Sequence, residues 1–206
     1  LKSYDPNYLF INGDWLDCYS VSDFNKNPTR WFNLSHEIKL VSNTLEYFRK
    51  ILPKCKIYYV DGNHEERLWR SYVSICQKDS KVSELLDSLN VRDITTRNLL
   101  HLPDLGIEWQ PYGGYVDFLG FIITHASLLS QFSAYTARKN LDKWRSSGTN
   151  GHTHRLGEYH YTSSNGETHS WYESGCLCRL DPEYAQGVNW QNGFLYGQVV
   201  CNKLHV

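Results

Sequence analysis

The 206 residues carry a formal net charge of −1, with 41% hydrophobic and 21% charged side chains. This is the balance of an ordinary globular protein with enough chain to build a core. It excludes binding to nucleic acid by bulk positive charge, no apolar run is long enough to span a bilayer, and nothing at Leu1 has the pattern of a secretory signal.

Tyr8-Leu9-Phe10-Ile11 reads as a buried strand that ends in the turn Asn12-Gly13-Asp14. Ile38, Val41, Leu45 and Phe48 then recur at helical spacing, with Ser35 as the expected N-cap and Pro53 as the stop. Ile57-Tyr58-Tyr59-Val60 is the next strand and ends in Asp61-Gly62-Asn63-His64, so strand, helix and strand predict a parallel pair. Helices are expected over Glu65 to Cys76, around Val82 to Leu89, and from Leu128 to Arg145. Strands are expected at Tyr115–Phe118 and Phe121–Thr124, with Gly120 at the turn. A hairpin follows around Ser163-Ser164-Asn165-Gly166, and a last strand over Gly193 to Cys201. Without repeats, low-complexity tracts or linkers, 1–206 reads as a single domain.

The cysteines give a weaker signal. Cys176 and Cys178 share one face of an extended segment, and with Cys201 they could bind zinc. No second Cys pair or Cys-His pair completes a zinc signature, so the expectation is buried, reduced thiols.

Four polar clusters stand directly after apolar strands: Gly13-Asp14-Trp15-Leu16-Asp17, Gly62-Asn63-His64-Glu65, Thr124-His125 and Gly151-His152-Thr153-His154. The carboxyl ends of strands in an α/β sheet converge on a ligand crevice. Carboxylate, amide oxygen and imidazole together suit Mn²⁺, Fe, Zn²⁺ or Ni²⁺. The two oxygens of Asp14 can bridge two cations, and in an extended backbone His152 and His154 point to opposite sides and serve different ions.

In this order the clusters resemble the motifs of the calcineurin-like metallophosphoesterases. The surrounding text, Asn63-His64-Glu65-Glu66-Arg67, Gly151-His152-Thr153-His154-Arg155 and Gly175-Cys176-Leu177-Cys178, is most similar to small bacteriophage-encoded members. The resemblance implies a four-layer αββα sandwich of two mixed β-sheets flanked by helices. It implies two divalent ions, Mn²⁺ before Zn²⁺, Fe or Ni²⁺. Asp14 would bridge them, Asn63, His125 and His152 would complete one site, and His154 would serve the other. His64 would contact the phosphate and protonate or orient the leaving oxygen. Members of the family carry an Asp-x-His on a strand upstream of Gly-Asp. Asp5 has no His two residues on, and the expectation is that this strand precedes Leu1.

Arg67, one turn from His64, and Arg155, after His154, are candidate substrate-binding cations, with a solvated charge as the bland alternative. Asp17 is expected as a turn group or a support behind the ligands rather than a ligand, and Glu173 is one carboxylate that could orient a ligand histidine. Arg138, Lys139, Lys143 and Arg145, with Tyr135 and Trp144 among them, offer a local contact for a nucleic-acid backbone, or the solvated face of a helix. The aromatic stretch Tyr19 to Trp31 is placed as a wall of the substrate cleft. The expected activity is hydrolysis of a phosphodiester, in nucleic acid or a nucleotide, or of a phosphomonoester, by metal-activated water in the host cytoplasm. The alternatives are a degenerate module of the same fold that only binds partners, and a protein phosphatase.

Overall fold

A computed structural model describes residues 1–23, 26–27, 33–89, 94–125, 128–182 and 187–206. The chain is mixed α/β and divides into two units, Leu1–Tyr112 and Gly113–Val206.

In the first unit, β1 (Tyr8–Asn12) and β2 (Lys56–Val60) pair in parallel with Asn12 opposite Val60. β3 (Ile107–Gln110) continues the parallel sheet on the far side of β2. The connection from β1 to β2 contains α1 (Leu34–Ile51), whose buried Val41 and Leu45 are two of the four apolar positions that predict it. They pack in a core with Ile11, Leu16, Ile57 and Tyr59. The cap is Asn33 rather than Ser35: its side chain accepts a 2.9 Å bond from the His36 N–H. Either residue type can cap, and position decides, because Ser35 already lies inside the first turn. α2 (Asn63–Lys78) starts on the residues of the Gly-Asn-His-Glu motif. α3 (Ser80–Ser88) is capped by Asp79, and its Leu85 stays largely exposed. A short α4 (Thr96–Leu99) precedes β3.

The second unit is built on a mixed sheet of order β4-β5-β6-β8-β7. β4 (Tyr115–Phe118) and β5 (Phe121–Thr124) form a hairpin through Leu119 and Gly120, both at positive φ, as a tight two-residue turn requires. β6 (Gly148–Asn150) lies parallel to β5 and to β8 (Thr168–Ser174), and β7 (Leu156–Thr162) closes the second hairpin on β8. Trp171 is fully buried with Ile122, Ala137 and Leu141, the last two from α5 (Tyr135–Trp144). That helix is shorter than the expected Leu128 to Arg145. The chain turns at Ala134, which has φ +64, and Leu128 and Leu129 before it are exposed. Of the expected last strand, Gly193 to Cys201, the part Gln198–Val200 is extended as β9, and it pairs antiparallel with β10 (Lys203–His205) across Cys201 and Asn202, both at positive φ.

The described strands of the first unit are all parallel, so a mixed sheet is found only in the second. No helix among the described residues is long and apolar enough to cross a membrane.

Candidate metal centre

In the first unit, β1 and β2 end level with one another, so Gly13-Asp14 and Gly62-Asn63-His64 leave the sheet at one edge. Asp14 sits at φ +55, a conformation that aspartate tolerates better than most residues. Its Oδ1 accepts a 3.0 Å bond from the His64 N–H. The approach requires Gly62: a Cβ there would stand 2.1 Å from Asp14 Oδ1 and 2.5 Å from the Asp14 backbone nitrogen. Asn63 is the first residue of α2.

Glu65 explains why this turn holds its shape. It is buried, and its carboxylate accepts five bonds: from the N–H groups of Asp14, Trp15, Leu16 and Gly62 at 2.8–3.0 Å, and from the Tyr59 hydroxyl at 2.8 Å. Bonds of this kind to a charged acceptor are the strong ones. The same acceptors push the Tyr59 hydroxyl well above its ordinary range, together with its own burial, which is the larger cause. Sequence reasoning takes Glu65 as part of the motif without seeing this role. The signal is its N3 position, three residues after Gly62, where a Glu side chain reaches back to the cap.

The His64 ring lies between two carboxylates, Nε2 3.9 Å from Asp14 Oδ2 and Nδ1 3.4 Å from Asp17 Oδ1. Asp17 is held by Glu37 of α1, which accepts from the N–H groups of Asp17 and Cys18. Arg67 donates a 3.0 Å bond to the Asp17 carbonyl and lies 3.9 Å from its carboxylate, so this cation braces the loop beneath His64. The Tyr19 to Trp31 wall lies in part outside the described residues, at 24–25 and 28–31.

Asp61, beside the motif, is buried, accepts a 3.0 Å bond from Trp109 Nε1, and has its carboxyl pushed up to about 8 by burial first and by Glu65 second.

In the second unit, Thr124, Asn150 and Glu173 are aligned across β5, β6 and β8, which run in one direction. His125, Gly151-His152 and Gly175-Cys176 therefore leave the sheet at one edge. His125 is 1% exposed, and its Nε2 lies 3.1 Å from His152 Nδ1, with the two rings nearly perpendicular at 80°. His152 and His154 both have positive φ, 72° and 55°, so the segment is not the extended one expected from alternation. The turn nevertheless sends the two rings to different neighbours. His154 falls with Cys176 and Cys178, one ligand atom of each lying within 4.8 Å of the others, and its ring meets the Trp190 ring edge-on at 4.2 Å.

Arg155 is mostly buried and donates to the Ser130 carbonyl at 2.7 Å and to that of Gln131, while its Nε lies 3.8 Å from Glu173 Oε2. Its charge is turned to the protein. Glu173, 1% exposed, also accepts a 3.4 Å bond from the Ala137 N–H in the first turn of α5, where the helix dipole favours a carboxylate. Of the basic helix residues, Arg138 pairs with Asp142 at 4.0 Å, Lys139 donates to the Leu129 carbonyl, and Lys143 lies over the Trp144 ring.

Each unit thus brings its own share of the expected ligands to one sheet edge: Asp14 and Asn63 in the first, with His64 beside them, and His125, His152 and His154 in the second. No family model, curated protein or solved structure matches the chain.

Proposed function

We propose that the protein is a metal-dependent phosphoesterase of the kind its motifs resemble, with the calcineurin-like αββα arrangement, acting on phosphodiesters of nucleic acid or nucleotides. Asp14, Asn63, His125 and His152 are its ligands for divalent ions, Mn²⁺ foremost, and His154 serves a different ion from His125 and His152.

The observation that carries it is the 3.1 Å approach of His125 Nε2 to His152 Nδ1 at the ends of adjacent parallel strands. Ligands in neighbouring positions about 2.1 Å from one ion lie about 3 Å apart. The same spacing serves a hydrogen bond, so the donor types matter: two imidazoles here, and in the first unit a carboxylate in a turn that a Cβ on Gly62 would fill. When bound, such ions withdraw charge from a phosphate ester and lower the pKa of bound water.

The chain's own groups do the rest. Asp14 is fixed through its backbone by Glu65 and through its carboxylate by the His64 N–H, so it needs no reorganisation to act as a ligand. His64, set between Asp14 and Asp17, is oriented to carry a proton to the leaving oxygen, a task for which imidazole is suited near neutral pH. Arg67 and Arg155, the candidate substrate-binding cations, also hold loops in place, since both donate to backbone carbonyls.

The test is hydrolysis of a chromogenic aryl phosphodiester by the full chain. Turnover is expected to need Mn²⁺, to stop with a chelator, and to return on re-addition. His125→Ala and His152→Ala should lose metal content and turnover together. His64→Ala should keep its metal and lose about 10²–10⁴-fold in turnover of substrates with poor leaving groups. No hydrolysis with Mn²⁺, Zn²⁺, Fe²⁺ or Ni²⁺ sinks the reading, and equal loss of metal in His64→Ala refutes the role given to that residue.

A further inference from the structure

The geometry points to a thiolate metal site in the second unit, with Cys176, Cys178 and His154 as ligands and zinc as the ion class. The sequence alone offers Cys201 as third partner and finds no Cys-His pair. Adjacency of strands supplies one: β6 and β8 run parallel, so the residues that follow them, His154 and Cys176-Leu177-Cys178, meet at the same edge. One nitrogen of His154 and the two sulphurs lie within 4.8 Å of one another. A zinc ion about 2.3 Å from sulphur and 2.0–2.1 Å from nitrogen draws its ligand atoms to within roughly 4 Å. The gap is within the reach of side-chain rotation.

The backbone around the three residues is knit in advance. Gln191 N–H donates to the His154 carbonyl at 2.8 Å and Cys176 N–H to the Gln191 carbonyl at 3.0 Å. Gly175 N–H donates to the Arg155 carbonyl at 2.9 Å and Gly193 N–H to the Cys176 carbonyl at 3.0 Å. Gly175 has φ +75, and a Cβ there would come within 2.9 Å of the Gln191 carbonyl oxygen, so glycine is what allows the crossing. Asn192 Nδ2 donates to the carbonyls of Cys176 and Cys178 at 3.1 and 2.8 Å and lies 3.8 Å from Cys176 Sγ. An N–H directed at a ligating sulphur is the outer support such sites use. Cys178 is exposed and Cys176 and His154 half-buried, so an ion has a way in and a fourth position is left for water or a substrate atom. Two thiolates and one imidazole select a soft or borderline ion, unlike the oxygen-containing set around Asp14.

The inference rests on the reading above in one respect, that His154 serves a different ion from His125 and His152, and it names that ion's other ligands. It is tested on the full chain, stripped of metal by a chelator and kept reduced, by titration with Co²⁺. A near-ultraviolet thiolate-to-cobalt charge-transfer band should appear, saturate at one thiolate-bound cobalt per chain and vanish when Zn²⁺ is added. Cys176→Ser and Cys178→Ser should each remove about half of its intensity. His154→Ala should weaken cobalt affinity at least about tenfold, the scale on which coordination-shell losses act. The double variant His125→Ala, His152→Ala should keep the band in full. Cobalt uptake by the reduced wild-type chain without that band overturns the inference, whatever the variants do. A band with no phosphodiester turnover under any metal leaves this site standing and removes the phosphoesterase reading. Turnover without a band does the reverse.

Discussion

Gly62 is the residue on which the first unit's motif turns, for reasons of space rather than dihedral freedom. Its φ of −92° is open to any residue, yet its missing Cβ is what lets Asp14 lie against it. Gly62→Ala forces either the Asp14 carboxylate or the Asp14 backbone away. Overpacking of this kind costs about 1–3 kcal/mol. Denaturant unfolding should register that loss, and metal content should fall with it; an unchanged midpoint and full metal content would show that the turn has slack. Asp61, one residue earlier, gives a prediction in pH. Its carboxyl titrates near 8 in the fold, whereas an unfolded aspartate titrates near 3.9. Between those values the folded chain binds a proton that the unfolded chain has lost, so stability falls as pH rises. Asp61→Asn keeps an acceptor for Trp109 Nε1 and removes the titration. In chelator, its stability should depend less steeply on pH from about 4 to 8 than that of the parent. Parallel pH profiles would place the Asp61 carboxyl in its ordinary range.

At the scale of elements, the loop Asp14–Cys18 is fastened to two helices through one carboxylate each, Glu65 of α2 and Glu37 of α1. Replacing Glu65 with alanine leaves the buried N–H groups of Leu16 and Gly62, the part-buried ones of Asp14 and Trp15, and the Tyr59 hydroxyl without their acceptor, and each buried group so stranded costs about 1–3 kcal/mol. The expected outcome is loss of more than about 3 kcal/mol of stability, read by denaturant unfolding, with Glu65→Gln intermediate because an amide nitrogen cannot accept. A Glu65→Ala protein as stable as the parent would mean that water replaces the carboxylate. Elements were legible where a local pattern is strong, as in the apolar period of α1, whose cap was nevertheless misplaced, and in the turn residues of the hairpin of β7 and β8. They were not legible where burial comes without apolar residues. β6 is Gly148-Thr149-Asn150, buried throughout and carrying no hydrophobic pattern. It is specified by neighbours: the Trp171 ring, which a Cβ on Gly148 would meet at 2.6 Å, and the bond from Trp171 Nε1 to Asn150 Oδ1. The start of α5 failed in the opposite way: Leu128 and Leu129 are apolar yet exposed, and the positive φ of Ala134 ends the helix where the apolar residues run on.

For the whole molecule, the sequence shows which residues stand at strand ends, but not which strands are neighbours. Asp14 with His64, and His125 with His152, follow from strand order and motif spacing. His154 with Cys176 and Cys178 does not, because it depends on β6 pairing with β8 rather than with the next strand in the chain. The adjacency of His125 and His152 also sets a test of the ion proposed there. An ion that binds only the folded chain stabilises it by about 2.7 kcal/mol at a hundredfold excess over its dissociation constant. Calorimetry of the full chain should therefore show unfolding shifted upward by Mn²⁺ and back again by chelator. His125→Ala removes one of two rings that stand 3.1 Å apart and should lose most of that metal-induced rise. A rise of the same size in His125→Ala would show that the stabilising ion is held without this ring, and the assignment of His125 as a ligand is then wrong.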